Sequence, residues 1–307
     1  MSSSSPKRRP LRRCVTGARK SRFVEIFRTT PVQTVCPNFF VLAHANGCTF
    51  APHCSYCFLK SSLWHTREQK AFDNIDKMVR EIRAWIARDD LESHVLNMGN
   101  LSDSLAFERG RPLIAVLVDL FREEAEKRGR PHALLLVTKG GMEECEPLLK
   151  IKPCANVIVS FSVNSPEAAA AHEKGAAPIP DRLAAYRALR KAGWRVRVRI
   201  DPMIHGYDYT GIVRDVKRLR PERVTLGTLR AEWNLFRFVE DDIFAKLERS
   251  SQPKGLSRYP LDMRLAMYRP AVEALRDVCP VGLCEETPDV WNALGLDTKA
   301  KSCNCGG

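Results

Sequence analysis

The 307-residue chain has no run of eighteen apolar residues, so nothing in it reads as a membrane span. It has no basic n-region leading into an apolar h-region, which argues against a secretory signal. Acidic residues are missing from positions 1–22, where Lys7, Arg8, Arg9, Arg12, Arg13, Arg19, Lys20 and Arg22 contribute +8 of the net +13. The other 285 residues therefore carry only +5, and the remainder of the chain is mildly basic. Ser2–Ser5, Pro6 and Pro10 break any helix there, so residues 1–22 read as a disordered basic tail. Such a tail suits contact with nucleic-acid phosphates, a solvated leader, or an organellar transit peptide.

What is present is cysteine. Eleven cysteines at uneven spacing are unlike the framework of a small secreted domain. They point to a reducing, cytoplasmic setting with metal or cluster ligation. Three fall within ten residues, in Gly47-Cys48-Thr49-Phe50-Ala51-Pro52-His53-Cys54-Ser55-Tyr56-Cys57-Phe58, a C-x5-C-x2-C spacing. The two-residue gap between Cys54 and Cys57 lets two sulfurs turn toward one centre. No further cysteine or histidine follows at zinc-ribbon spacing. Three thiolates and one open position suit a [4Fe–4S] cluster whose fourth iron binds something else. Three buried core cysteines, or zinc with a distant fourth ligand, are the alternatives.

After this loop the pattern alternates. Phe39–Ala43 reads as a first strand, and apolar spacing from Glu68 to Ala87 gives a helical stripe. Strands are expected at 94–98, 133–137, 156–163, 195–200 and 223–229. Helices are expected near 112–128, 142–149, 166–172, 180–192 and 209–219. Six strand–helix units in succession predict a parallel sheet covered by helices. Alternation alone does not separate a partial barrel from an open doubly wound sheet. In either, functional groups belong at the carboxyl ends of strands. Polar clusters stand there: Gly99-Asn100-Leu101-Ser102-Asp103-Ser104, Thr138-Lys139-Gly140-Gly141, Ser160 to Ser165, and Arg199-Ile200-Asp201-Pro202. Any one of these is explained by helix capping; four in succession suggest a site.

The cysteine loop resembles that of radical S-adenosylmethionine (SAM) enzymes, and in detail the spore photoproduct lyase branch, whose loop reads roughly G-C-x3-C-x-Y-C-Y-L. Here the first gap is five residues, which lengthens the loop without removing a ligand. Val137-Thr138-Lys139 is similar to that family's V-T-K strand end and Ser162-Val163-Asn164 to its S-I-N end. His172 to Ala176 with Asp181-Arg182-Leu183, then Arg258 to Leu261, Met267-Tyr268, Leu283 to Thr287 and Val290-Trp291 extend the resemblance over about residues 38–295.

The resemblance implies an α/β fold, a partial (β/α)6 TIM-like barrel of the radical SAM type over residues 23–295. A C-terminal Cys-x-Cys extension over 296–307 would follow. It implies a [4Fe–4S] cluster on Cys48, Cys54 and Cys57, SAM as cosubstrate, and an electron donor such as flavodoxin or ferredoxin. Lys139, Ser162 and Asn164 would line the SAM site. Ser102 and Asp103 suit its amine and ribose, Arg199 its carboxylate, and Tyr56 with Phe58 its adenine. Arg199 also reads as one of three alternating arginines on a strand face, and the aromatic pair as core.

Two departures bear on substrate. That family's hydrogen-donating cysteine, in a C-[ST]-S-D segment, is replaced by Asn100, and its tyrosine pair by Ser61 to His65. Thymine-dimer repair by that route is therefore not expected. Cys303 and Cys305, at a flexible end folding over the barrel mouth, are candidate replacement donors, ligands of an auxiliary cluster, a redox pair, or a grip for a thiophilic substrate. The competing function is a non-catalytic nucleic-acid-binding protein with a structural metal site.

Overall fold

The computed structural model describes residues 14–27, 33–36, 38–66, 68–239, 242–252, 255–300 and 302–306. Its strands are β1 (Val15–Gly17), β2 (Val24–Phe27), β3 (Phe39–Leu42), β4 (Ala45–Asn46), β5 (Lys70–Phe72), β6 (Val95–Asn97) and β7 (Ala133–Thr138). They continue with β8 (Val157–Val163), β9 (Arg195–Met203), β10 (Val224–Thr228), β11 (Arg230–Glu232), β12 (Leu256–Arg258) and β13 (Val281–Leu283). Its helices are α1 (Leu59–Ser62), α2 (Ile75–Ile86), α3 (Ile114–Phe121), α4 (Met142–Leu149) and α5 (Pro166–His172). They continue with α6 (Ile179–Lys191), α7 (Thr210–Leu219), α8 (Leu261–Leu275) and α9 (Pro288–Ala293).

Eight strands form one sheet in the order β13-β10-β9-β8-β7-β6-β3-β2, parallel except for β2 against β3. From β3 to β10 the spatial order is the chain order. Right-handed crossovers then place every covering helix on the same face and the sheet curls around the other. A doubly wound sheet needs a reversal of strand order, and none occurs between β3 and β13. The partial barrel is therefore the fold. Its edges stay unpaired with each other among the described residues, but Val35 N–H, just ahead of β3, donates to Glu286 O beyond β13 at 2.8 Å.

The two-residue period of a strand divides each one between two surroundings. Leu134, Leu136, Val157, Val159, Phe161, Val198, Ile200 and Leu226 join the helices in the main core. Asn97, Ser160, Ser162, Arg197 and Thr225 are buried too, on the alternate face, alongside the apolar Val95, Leu135 and Ile158, so the lumen mixes polar and apolar groups.

Three expectations change. The helix expected from Glu68 begins only at Ile75, because Lys70–Phe72 pair with β1 and β4 and bury Ala71 and Phe72. The helix expected over 112–128 leaves α geometry at Phe121 and widens into a π turn over Arg122–Glu126. The tail expected to be disordered over 1–22 is folded from Cys14 onward. β1 pairs with β5, and Arg19 stacks 5.2 Å from the Phe72 ring centre. Its first thirteen residues lie outside the described ones.

The C-terminal end also differs from a free extension. Cys303, Asn304 and Cys305 are buried in the lumen. Ser302 Oγ donates to Val281 O at 2.9 Å, and a Cβ on Gly282 would stand 2.4 Å from Cys303 N. Only glycine at that position lets the returning chain lie against β13.

Candidate metal and cofactor site

The cysteine loop leaves β4 at Gly47, whose φ of +89° is a conformation glycine adopts without strain. Gly47 N–H donates to Leu101 O at 2.9 Å, tying the loop to the end of β6. Cys57 N–H donates to Cys54 O at 3.1 Å, and this turn sets the two sulfurs of the C-x2-C pair side by side. The far side is held by Ser55, which donates its N–H to His172 O and shares its hydroxyl with His172 Nδ1, both at 2.9 Å. Gly175 lets the loop settle, since a Cβ there would meet Pro52 O at 2.3 Å. The residues between Cys48 and Cys54, where the gap is long, border a cavity of about 720 Å³ with Glu108 and Glu144 on its opposite wall.

Burial raises all three thiols, Cys54 to about 11 although Lys139 opposes the rise. Each of Cys48 and Cys54 also feels the charge of Cys57, so the three thiols are neighbours. Among the described residues no three His, Cys, Asp or Glu groups stand close enough to grip a single ion. A cubane places its ligands on different irons and needs a wider spacing. Three neighbouring thiols on one loop, with no fourth in that loop, fit such a cluster with one open iron.

Beside the loop lies a fully buried polar network. Arg182 Nη1 and Glu173 Oε2 form an ion pair at 2.6 Å with neither side chain more than 1% exposed. Arg182 also donates to Ala177 O and Ser162 O, at 2.7 and 2.9 Å. Glu173 accepts from the Tyr56 hydroxyl and, at 3.2 Å, from Asn164 Nδ2. Asn164 Oδ1 accepts from Tyr209 at 2.8 Å. Burial alone would raise the Glu173 carboxyl; Arg182 and then Lys139 reverse this and hold it low. The Lys139 ammonium lies 5.7 Å from the Tyr56 ring centre. Burial would lower its pKa, but Glu173 and Cys54 outweigh this and raise it.

Asp103 closes the other side. Its carboxylate accepts from Lys139 N–H at 2.6 Å, Thr138 Oγ1 at 2.9 Å and Leu105 N–H at 2.9 Å. Burial raises its pKa and these donors oppose the rise. Ser102 donates to Asp103 O at 2.8 Å. The structure thus brings Tyr56, Asp103, Lys139, Ser162 and Asn164 into one network next to the thiols. Phe58 points outward, 43% exposed.

Arg199 belongs elsewhere. Its guanidinium pairs with Asp201 and donates to Cys284 Sγ at 3.4 Å. Arg230 reaches the same pair, Asp201 Oδ1 at 2.8 Å and Cys284 Sγ at 3.1 Å, and holds Glu285 at 2.6 Å. The tail cysteines lie on this side of the lumen, with Asn97 Nδ2 3.8 Å from Cys305 Sγ. Arg197 and Arg223 donate to the carbonyls of Asn304 and Cys303, at 2.8 and 2.9 Å. Cys303 and Cys305 therefore do not cover the barrel mouth. Sequence reasoning missed the Arg230–Asp201–Cys284 group, although Asp201 and Cys284 both stand at strand ends.

The spore photoproduct lyase family model matches residues 13–234. Among solved structures, a tyrosine-to-phenylalanine mutant of spore photoproduct lyase superposes with a TM-score of 0.71 at 17% identity, covering 89% of this chain and 82% of that one. A cysteine-to-alanine mutant gives 0.70 at 17%, over 88% and 81%. The lyase complexed with dinucleoside spore photoproduct gives 0.67 at 18%, over 88% and 81%. A comparison with curated proteins gives no match.

Proposed function

The chain belongs to the spore photoproduct lyase family of radical SAM enzymes, and from that premise we propose that it cleaves SAM reductively to act on a substrate other than a thymine dimer. The observation that carries the reading is the loop that gathers Cys48, Cys54 and Cys57 beside a buried, charge-balanced polar wall. A structural relative has been solved with AdoMet bound.

When bound, the reduced [4Fe–4S] cluster supplies the electron that breaks a C–S bond of SAM. The chain's own residues hold and orient. Cys48, Cys54 and Cys57 would hold three of its irons. Lys139, kept cationic by Glu173, would pair with the carboxylate of SAM, and Asp103 with Ser102 would meet its amine or ribose. Ser162 and Asn164 complete the wall, and Tyr56 gives it an aromatic face. Arg199, committed to Asp201 and Cys284, lines the substrate side instead. An electron donor of the flavodoxin or ferredoxin type would dock from outside, and the basic residues at the N-terminus suit a nucleic-acid contact.

The reading against dimer repair rests on Asn100, which has no transferable hydrogen atom where that family places a thiol. As replacement donors, Cys303 and Cys305 would need one thiol free and protonated. Their burial among other cysteines favours a different role, argued below.

The test is the nucleoside released from SAM by the anaerobically reconstituted, reduced protein. 5′-Deoxyadenosine is the expected product. Methylthioadenosine would mean that a different sulfonium bond breaks, and no cleavage from an iron-loaded protein would overturn the enzyme reading.

A further inference from the structure

We infer that Cys36, Cys284, Cys303 and Cys305 form a second thiolate centre in the barrel lumen, whose occupant is a [4Fe–4S] cluster ligated entirely by protein sulfur. The site is independent of the loop cysteines and of the reaction proposed for them.

Three remote pieces of chain meet there. Cys36 packs against the lumen cluster that contains Cys305. The Val35–Glu286 hydrogen bond at 2.8 Å sets Cys36 beside the loop that carries Cys284. Cys303 and Cys305 arrive on the returning tail, against the face that Gly282 keeps free. The convergence is held from both sides, by Arg197 and Arg223 on the tail carbonyls and by Ser302 on β13. A frayed end would need none of these contacts.

The charge around the thiols calls for an anion. Arg197, Arg199, Arg223 and Arg230 surround them, against the carboxylates of Asp201, Glu222 and Glu285. Buried guanidinia suit an anionic neighbour, because burying charge without one is costly. Two guanidinium N–H groups already point at Cys284 Sγ. Ligation releases the four thiol protons and turns the site anionic.

Unpartnered polar atoms face the same space. Asn304 Nδ2 and Oδ1, Ser160 Oγ and Thr225 Oγ1 are buried and have no hydrogen-bond partner. Thr225 stands beside Gly282 in register, and Ser160 beside Arg197. Buried donors of this kind ordinarily have an acceptor, and cluster sulfides accept such bonds.

The experiment counts iron and acid-labile sulfide after anaerobic reconstitution. The unmodified chain should hold about eight of each. The triple variant Cys48→Ala/Cys54→Ala/Cys57→Ala should keep about four, with thiolate-to-iron absorption intact. Cys303→Ala/Cys305→Ala should also fall to about four, now from the other site. An iron-free or zinc-loaded triple variant overturns the proposal, and so does a tail variant with undiminished iron. Should the triple variant not fold, the tail variant decides alone. Iron lost only with the tail would overturn the loop reading instead.

Discussion

The molecule gathers cysteines twice, by opposite means. The loop set lies within ten residues, and one backbone turn from Cys57 to Cys54 arranges it. Its surroundings are balanced, with Lys139 and Arg182 on one side and Glu173 and Asp103 on the other. The lumen set spans the chain from Cys36 to Cys305 and depends on the curl of the whole sheet and on the tail lying inside it. Its surroundings are rich in arginine, with Arg197, Arg199, Arg223 and Arg230 about it. Local geometry can position ligands on a loop whatever the rest of the fold does, whereas the second set exists only if the fold closes around it.

The largest effect separating the two should come from Arg182→Met. The Arg182–Glu173 pair is fully buried, and removing one partner leaves an uncompensated charge, which costs about 3–5 kcal/mol. Urea unfolding should show this loss, and the double variant Arg182→Met/Glu173→Gln should recover most of it. The pair also fixes a pH dependence. The Glu173 carboxyl is held below its unfolded value, so the unfolded chain takes up the proton first on acidification. Its stabilisation is present at neutral pH and is lost as pH falls through the ordinary carboxylate range toward the folded value. The tail thiols should stay shielded from alkylation throughout the native range if the two regions are independent. Early exposure of Cys303 or Cys305 in the single variant would break the comparison.

Gly282→Ala probes the other side. The new Cβ would fall 2.4 Å from the Cys303 backbone, and relieving such overlap costs about 1–3 kcal/mol. Displacement of the tail is the expected relief. Cys303 and Cys305 should then react with an alkylating reagent at least about tenfold faster, since local opening by 1.4 kcal/mol is a factor of ten. Unchanged reactivity would mean the tail is held by more than its packing on β13.

The same contrast explains what the sequence revealed. The C-x2-C spacing, the strand–helix alternation and the polar strand ends at Asp103, Lys139, Ser162 and Asn164 are local patterns, and each survives as a neighbour of the loop. The expected strand end at Arg199 lies inside β9, which runs on to Met203, and the partners of Arg199 are set by β10 and β13, which no local pattern pairs with β9. The strand at Lys70–Phe72 was hidden for the same reason: its apolar residues also fit a helical stripe, and pairing with β1 decided. The place of Cys303 and Cys305 depends on Gly282 and on arginines some eighty residues or more away.

Asn97→Ala should give the smallest effect and sharpens the account of the lumen. Asn97 Oδ1 accepts from Gly99 N–H at 2.8 Å, and its Nδ2 lies 3.8 Å from Cys305 Sγ. The long contact to sulfur is weak, so the loss is mainly the Gly99 bond, about 1 kcal/mol. Iron content should hold if the ligands themselves secure the lumen centre. Asn97→Asp is the sharper partner, because it keeps the acceptor for Gly99 but places a carboxylate beside Cys305. Beside a neutral thiol this change is mild; beside a thiolate it opposes ligation. The aspartate variant should therefore unfold near the alanine variant but retain less iron. Equal iron in both would mean that Cys305 is not a thiolate ligand, and the lumen centre would then have to be held without it.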